Sequence, residues 1–231
     1  MSFETPDNPF DGASAVLFDM DGTLVDTDID FTAMKRDTML FAKRYGMPEE
    51  ETEPLDILAI VDMLTESMRV SLGNVESEKV RAEAFSMLEK HEVEPCRNAR
   101  PVAFASTVLE RLRLKGVRVG IVTRNCRRAV DLAMEVTGIG AEVVLTRDDV
   151  RATKPHPEHL IAAMERLGAQ PAQGVMVGDH WMDVQGGKAA GMRTIGILRE
   201  NRPDDFYSAV VPDMIICQIG ELLPLIERLK G

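Results

Sequence analysis

Two aspartates, Asp19 and Asp21, stand at the end of the short apolar run Val16-Leu17-Phe18, and Gly22 and Thr23 follow at once. Carboxylates at a strand end give up hydration, which is costly unless a metal or a reaction uses them. Other apolar runs end the same way. Thr123, Arg124 and Asn125 come directly after Val122, Lys154 lies a few residues past Leu145, and Asp179 and Asp183 follow Val177-Gly178. Four carboxylates brought to one crevice repel each other and call for a cation. Oxygen-only ligands suit Mg²⁺, which keeps several waters and pairs with phosphate. Lys154 adds a fixed positive charge. The Thr123 hydroxyl and the backbone N–H groups around Arg124-Asn125 match phosphate oxygens. A carboxylate can also act as nucleophile and split a reaction in two through an aspartyl-phosphate. The residue types therefore imply phosphoryl transfer.

Something must bring these strand ends together. Residues 14–18 predict a buried strand that delivers Asp19. Residues 117–122, 142–145, 174–177 and 193–197 predict further strands, short and nearly continuously apolar, and 214–217 a weaker one. Between them, residues 103–114, 127–137, 157–167, 184–190 and 219–229 carry helical patterns, several ended by glycine. Strands alternating with helices make βαβ units and a mainly parallel sheet, whose binding crevice lies at the carboxyl ends of the strands. From 28 to about 90 the character is helical only, with candidates at 29–45, 55–72 and 77–91. The chain thus reads as an α/β core, residues 1–27 and 96–231, with an all-helical domain, residues 28–95, inserted after the first strand.

With the motifs placed on these elements, the chain resembles the haloacid-dehalogenase-like hydrolase superfamily, in its phosphatase branch with a small helical cap. The first motif, D-x-D-G-T, stands as Asp19-Met20-Asp21-Gly22-Thr23. The second, a strand ending in Thr, stands as Gly120-Ile121-Val122-Thr123. The third is Lys154, and the fourth is Gly178-Asp179-His180-Trp181-Met182-Asp183. The resemblance implies a Rossmann-like three-layer core with a central parallel sheet, and a Mg²⁺-dependent phosphatase. It implies Asp19 as nucleophile and phosphate contact, and Asp21 as acid and then base. Metal ligands would be Asp19, the Asp21 backbone carbonyl and Asp179. Gly22, Thr123, Arg124, Asn125 and Lys154 would hold phosphate or substrate. Asp183 would act behind them, through water or by orienting Lys154. The second aspartate, Asp21, separates this pattern from a dehalogenase, which lacks it.

The bulk properties narrow the partners. The 231 residues carry 27 Lys and Arg against 38 Asp and Glu, a formal charge of −11, which disfavours broad nucleic-acid contact. Cys96, Cys126 and Cys217 are an odd number without a C-x-x-C pair, so neither a disulfide framework nor a cysteine zinc site is expected. No basic leader or membrane span is read, so a cytoplasmic monomer or homodimer acting on a small phosphorylated metabolite is the expectation.

Simpler roles compete for some of these residues. Thr123 and Asp183 could cap the helices that follow them, Arg124 could make a surface ion pair, and His180 and Trp181 could be packing residues. Residues 28–94 hold 16 acidic and 8 basic residues, so most of the excess charge sits on the insert. Closed over the metal site, the insert would exclude water and read the leaving group. Arg36 and Lys43 share a face of its first helix and could face substrate, with solvated surface as the simpler reading. Overall form resembles phosphoglycolate phosphatases and β-phosphoglucomutase-like proteins. Phosphoglycolate or a sugar phosphate is then the expected substrate, with a phosphomutase or a non-catalytic phosphate-binding regulator as alternatives.

Overall fold

The computed structural model describes residues 8–200 and 202–229; the first residues, read above as no secretory leader, lie outside the described residues. Asp28–Arg97 form one compact unit, and the chain on either side of it forms the other.

The α/β unit opens with β1 (Ala15–Phe18) and the two-residue β2 (Val25–Asp26). After the helical unit it continues with β3 (Arg100–Pro101), α5 (Ala105–Leu114), β4 (Arg118–Val122), α6 (Arg127–Thr137), β5 (Val143–Leu145) and α7 (Glu158–Arg166). It ends with β6 (Gly174–Gly178), α8 (Trp181–Ala189), β7 (Arg193–Ile197), β8 (Met214–Ile216) and α9 (Leu223–Glu227). Six strands form one parallel sheet in the order β5-β4-β1-β6-β7-β8. All four residues of β1 are buried, which a sheet achieves only with cover on both faces. Ala15 and Leu17 pack in one cluster with Leu160, Ala163 and Met164 of α7; Val16 and Phe18, by strand alternation, serve the other face. This is the three-layer α/β arrangement that the alternating pattern predicts.

Several elements differ from expectation. Helix α8 begins at Trp181 rather than 184, because His180 caps it: its Nδ1 accepts from the Met182 N–H (3.3 Å). Asp183 is therefore inside the helix and is not its N-cap. The helix expected over 219–229 is a 3₁₀ turn, Ile219–Leu222, followed by the short α9. The strands β2 and β3 are too short for any periodicity to register. They pair antiparallel, Val25 with Pro101 and Asp26 with Arg100, where the chain leaves the α/β unit and returns to it.

The helical unit contains α1 (Phe31–Arg44), α2 (Glu49–Thr52), α3 (Ile57–Leu72) and α4 (Asn74–Cys96). Asp30 and Asp56 supply the first N–H acceptors of α1 and α3, which fixes where those helices start. Gly73, at φ +88°, ends α3 and begins α4. Helix α4 runs longer at both ends than the 77–91 expected, and it holds Pro95 in its last turn. Met34, Phe41, Ile60, Leu64, Val80 and Leu88 form the unit's apolar core. Among the described residues, no helix is long and apolar enough to cross a membrane.

Candidate active site

The site begins where β1 runs out. The Asp19 N–H still bonds Val177 O of β6 (2.9 Å), so the backbone stays in the ladder while the carboxylate leaves it. The chain then turns tightly: Leu24 and Val25 N–H both reach Met20 O, at 2.9 and 3.0 Å. Gly22 sits in this turn at φ +76°, and a Cβ there would lie 2.7 Å from Arg199 Nη1 and closer still to the Asp179 carboxylate. Only glycine meets both demands. Thus Gly22 makes room for other site groups, and no side chain of its own takes part.

Lys154 is the electrostatic centre. Its side chain is 2% exposed, and Nζ donates to Asp19 Oδ1 at 2.6 Å and to Asp183 Oδ1 at 2.7 Å. Burial alone would push the ammonium toward neutrality, but Asp183 and Asp19 outweigh it and hold its pKa above the usual range. Asp183 is doubly tied, since its other oxygen accepts from the His180 N–H (3.0 Å). A Cβ on Gly178 would strike the same carboxylate, so close backbone approach is built into the fourth motif. The contact with Lys154 matches one of the two roles expected for Asp183, and its carboxylate also lies beside those of Asp19 and Asp179.

Asp19, Asp179 and Asp183 bring carboxylate oxygens within 4.8 Å of one another. The cost is visible in their protonation. Burial, the Lys154 charge acting against it, and then Asp183 leave the Asp19 carboxyl raised. Asp179 is pushed up to about 8 by burial and by the Asp19 and Asp183 charges, with Arg199 and Arg202 opposing. A hard divalent cation would remove that cost, and an all-oxygen donor set fits Mg²⁺. The residues present therefore fit the metal that the motifs imply.

Asp21 points elsewhere. Thr27 Oγ1 donates to its Oδ1, and Asn125 Nδ2 donates to its Oδ2 at 2.6 Å. Asn125 was expected to meet phosphate or substrate, and in the structure its amide grips Asp21. Thr27 was not singled out, because six residues of separation within a turn carry no pattern. Thr123 is buried; its N–H bonds Leu145 O (2.9 Å) and its hydroxyl accepts from the Asn125 N–H (3.3 Å). It does not cap α6, whose N-cap is Cys126. Arg124 aims Nη1 at Met182 Sδ, and its carbonyl accepts from Arg147 Nη1 (3.3 Å).

His159, which no motif marks, is fully buried behind Lys154. Its Nδ1 accepts from the Lys154 N–H (3.4 Å), and burial with the Lys154 charge lowers its pKa to about 3, so it stays neutral. Burial and then Arg202 lower His180 to about 4. In the helical unit, Arg36 pairs with Asp37 (3.3 Å) and Lys43 with Glu49 (3.6 Å), both at the surface.

The haloacid dehalogenase-like hydrolase family model matches residues 16–197. The chain belongs to this family. It is an enzyme, a hydrolase of the phosphatase kind. A relative from Bacillus velezensis, the pyrophosphatase PpaX, is 33% identical over 220 residues, covering 91% of this chain and 94% of that one. A haloacid-dehalogenase-type phosphatase from Thermococcus onnurineus is 27% identical, with a TM-score of 0.58 over 92% of this chain and 97% of its own. A hydrolase from Pseudomonas syringae shares the fold at a TM-score of 0.65, with 18% identity over 95% of this chain and 100% of its own.

Proposed function

We propose that the protein is a Mg²⁺-dependent phosphatase working through an aspartyl-phosphate on Asp19. The observation that carries this reading is the shared lysine. Lys154 holds Asp19 at 2.6 Å in a fixed orientation, as a carboxylate that attacks phosphorus requires. Asp19 Oδ would bond to phosphorus as the bond from phosphorus to the leaving oxygen breaks. Asp21 would donate the proton that the leaving oxygen takes up. Water would then attack the acyl-phosphate, Asp21 would accept its proton, and phosphate and free Asp19 would result. The grip of Thr27 and Asn125 supports this role, because a proton shuttle must hold one orientation through both steps. Asp19 and Asp179, with the Asp21 carbonyl, would hold Mg²⁺, which when bound offsets negative charge on the phosphoryl oxygens. Thr123 would hold the transferred phosphoryl group with Lys154.

For the substrate, the likeness to PpaX favours inorganic diphosphate over the phosphoglycolate or sugar phosphate expected from the sequence. Phosphate release from p-nitrophenyl phosphate and from diphosphate tests the reading. Activity should vanish with chelator and return with Mg²⁺. Asp19→Asn should lower kcat at least about a thousandfold with the circular dichroism spectrum unchanged. Full activity in that variant would overturn the mechanism.

A further inference from the structure

The four motifs leave unused a pair of arginines just past β7, Arg199 and Arg202. Arg199 is braced at the mouth of the site. Its Nη2 bonds Asp26 Oδ1 at 3.0 Å, and its Nη1 lies 3.9 Å from Asp179 Oδ2. The guanidinium lies over Gly22, where a Cβ would come within 2.7 Å of Nη1. Among the described residues Nη1 makes no hydrogen bond, since 3.9 Å is beyond donor range. Arg202 is linked to it through the backbone, its N–H bonding Arg199 O at 2.9 Å. Its guanidinium sits 4.6 Å from the centre of the Phe206 ring, and among the described residues it has no carboxylate partner. Stacking on an aromatic face fixes the plane of a guanidinium while its in-plane N–H groups stay available.

A solvated ion pair explains these residues poorly. Arg199 and Asp26 are 38% and 43% exposed, so their pairing contributes little by itself. The arrangement instead spends Asp26 on holding one edge of the fork and leaves the other edge facing the site. The charge balance points the same way. Lys154 is already shared by Asp19 and Asp183. It can serve the phosphoryl group that meets Asp19, but it has no capacity for a second anionic group. Phe206, on which Arg202 stacks, meets the His180 ring of the fourth motif edge-on at 5.8 Å, so with Arg199 two further cations stand beside the site in a chain of net charge −11.

We infer that Arg199, braced by Asp26 and admitted by Gly22, together with Arg202 reads an anionic leaving group, so that the site selects diphosphate-type substrates over uncharged esters. This rests on the phosphatase reading above. Guanidinium forks match phosphate oxygens in pairs, and a leaving group that is itself phosphate offers those oxygens where an aryl or alkyl alcohol does not. The inference deepens the substrate assignment by naming what enforces it: two arginines of the α/β unit.

The test is a ratio. The kcat/KM for diphosphate is divided by that for p-nitrophenyl phosphate in the wild type, Arg199→Gln and Arg202→Gln, at saturating Mg²⁺. Methylenediphosphonate and orthophosphate inhibition constants are measured alongside. Loss of a charge-assisted pair of hydrogen bonds should lower the ratio at least about tenfold in each variant and weaken methylenediphosphonate more than orthophosphate. A ratio unchanged in both variants overturns the inference. So does an equal fall for both substrates with weakened Mg²⁺ binding by calorimetry, which would make Arg199 a partner of the metal ligand Asp179. A wild type active on p-nitrophenyl phosphate but inert to diphosphate overturns it as well, and leaves the phosphatase reading standing. A wild type inert to both removes that reading, and the inference with it.

Discussion

Lys154 and Arg69 each hold carboxylates, and the contrast between them separates the two units. Lys154 is buried and shared by Asp19 and Asp183 at 2.6 and 2.7 Å. Arg69 forks onto Glu66 one turn away on α3, with both side chains more than half exposed. The same pattern runs through each unit. In the α/β unit, charged and polar side chains from distant parts of the chain meet wholly or partly out of water: Asp21 with Asn125 and Lys154 with Asp183. In the helical unit several ion pairs join neighbours in sequence at the surface, as in Arg36–Asp37, Lys79–Glu76 and Arg97–Glu94. Buried charge that must be paired is evidence of a task, because desolvation makes it expensive to keep for stability alone. Solvated pairs along a helix contribute little and specify nothing.

Removing the shared cation should break the first unit hardest. Lys154→Met fills the space with an apolar chain of similar length and leaves two buried carboxylates without their partner. Stability at pH 7 should fall by about 3–5 kcal/mol, the cost of orphaning buried charge. Urea denaturation measures it, and activity should be lost with it. A variant as stable as the wild type would mean that water already solvates Asp19 and Asp183, and the contrast between the units would collapse.

The helical unit should break only through its apolar core. Leu88 of α4 is fully buried against that core. Leu88→Ala should cost about 2–5 kcal/mol through lost transfer energy and the cavity left behind. Hydrogen exchange should show the loss of protection concentrated in residues 28–97. Equal loss in β1 and β6 would mean that the two units unfold as one.

How much of this was legible in the sequence follows the same division. Asp19, Asp21 and Asp179 are readable because they follow apolar strands closely, where a polar group is conspicuous, and Lys154 and Asp183 because they complete the motifs that begin there. The parallel sheet was readable from the same runs. The supporting grips were not. Thr27 and Asn125 reach Asp21 through a turn and across strands, which no spacing encodes. His180 caps α8 with a ring nitrogen in the place where a hydroxyl or carboxylate is the usual signal, so the helix begins three residues before the expected start. Arg199 follows β7 without a motif, and its importance shows only once Gly22 and Asp179 are seen beneath it. In the helical unit the helices were legible from period and caps, but the residues that would read substrate were not. Arg36 and Lys43 carry the right charge for that work and pair instead with Asp37 and Glu49.

The smallest effect sharpens the comparison through acid. Asp149 accepts from the Thr146 N–H (2.8 Å), from the Thr146 hydroxyl (2.7 Å) and from Arg127 Nη2 (2.6 Å). Burial acts to raise its carboxyl, but the Thr146 hydrogen bonds and then Arg127 outweigh it and bring it below the ordinary 3.8. A carboxyl lowered on folding binds its proton more weakly in the folded state. Its contribution is therefore complete above the unfolded value and is lost as the pH falls through the folded one. Asp149→Asn should cost about 1 kcal/mol at pH 7, because the amide keeps one acceptor oxygen but loses the charge that strengthens its three hydrogen bonds. The gap between variant and wild type should narrow as the pH is lowered past 3.8. Chemical denaturation at pH 7, 5 and 3.5 measures that gap. A gap that stays constant would mean that the Asp149 hydrogen bonds do not depend on its charge, and that its three donors hold it by shape alone.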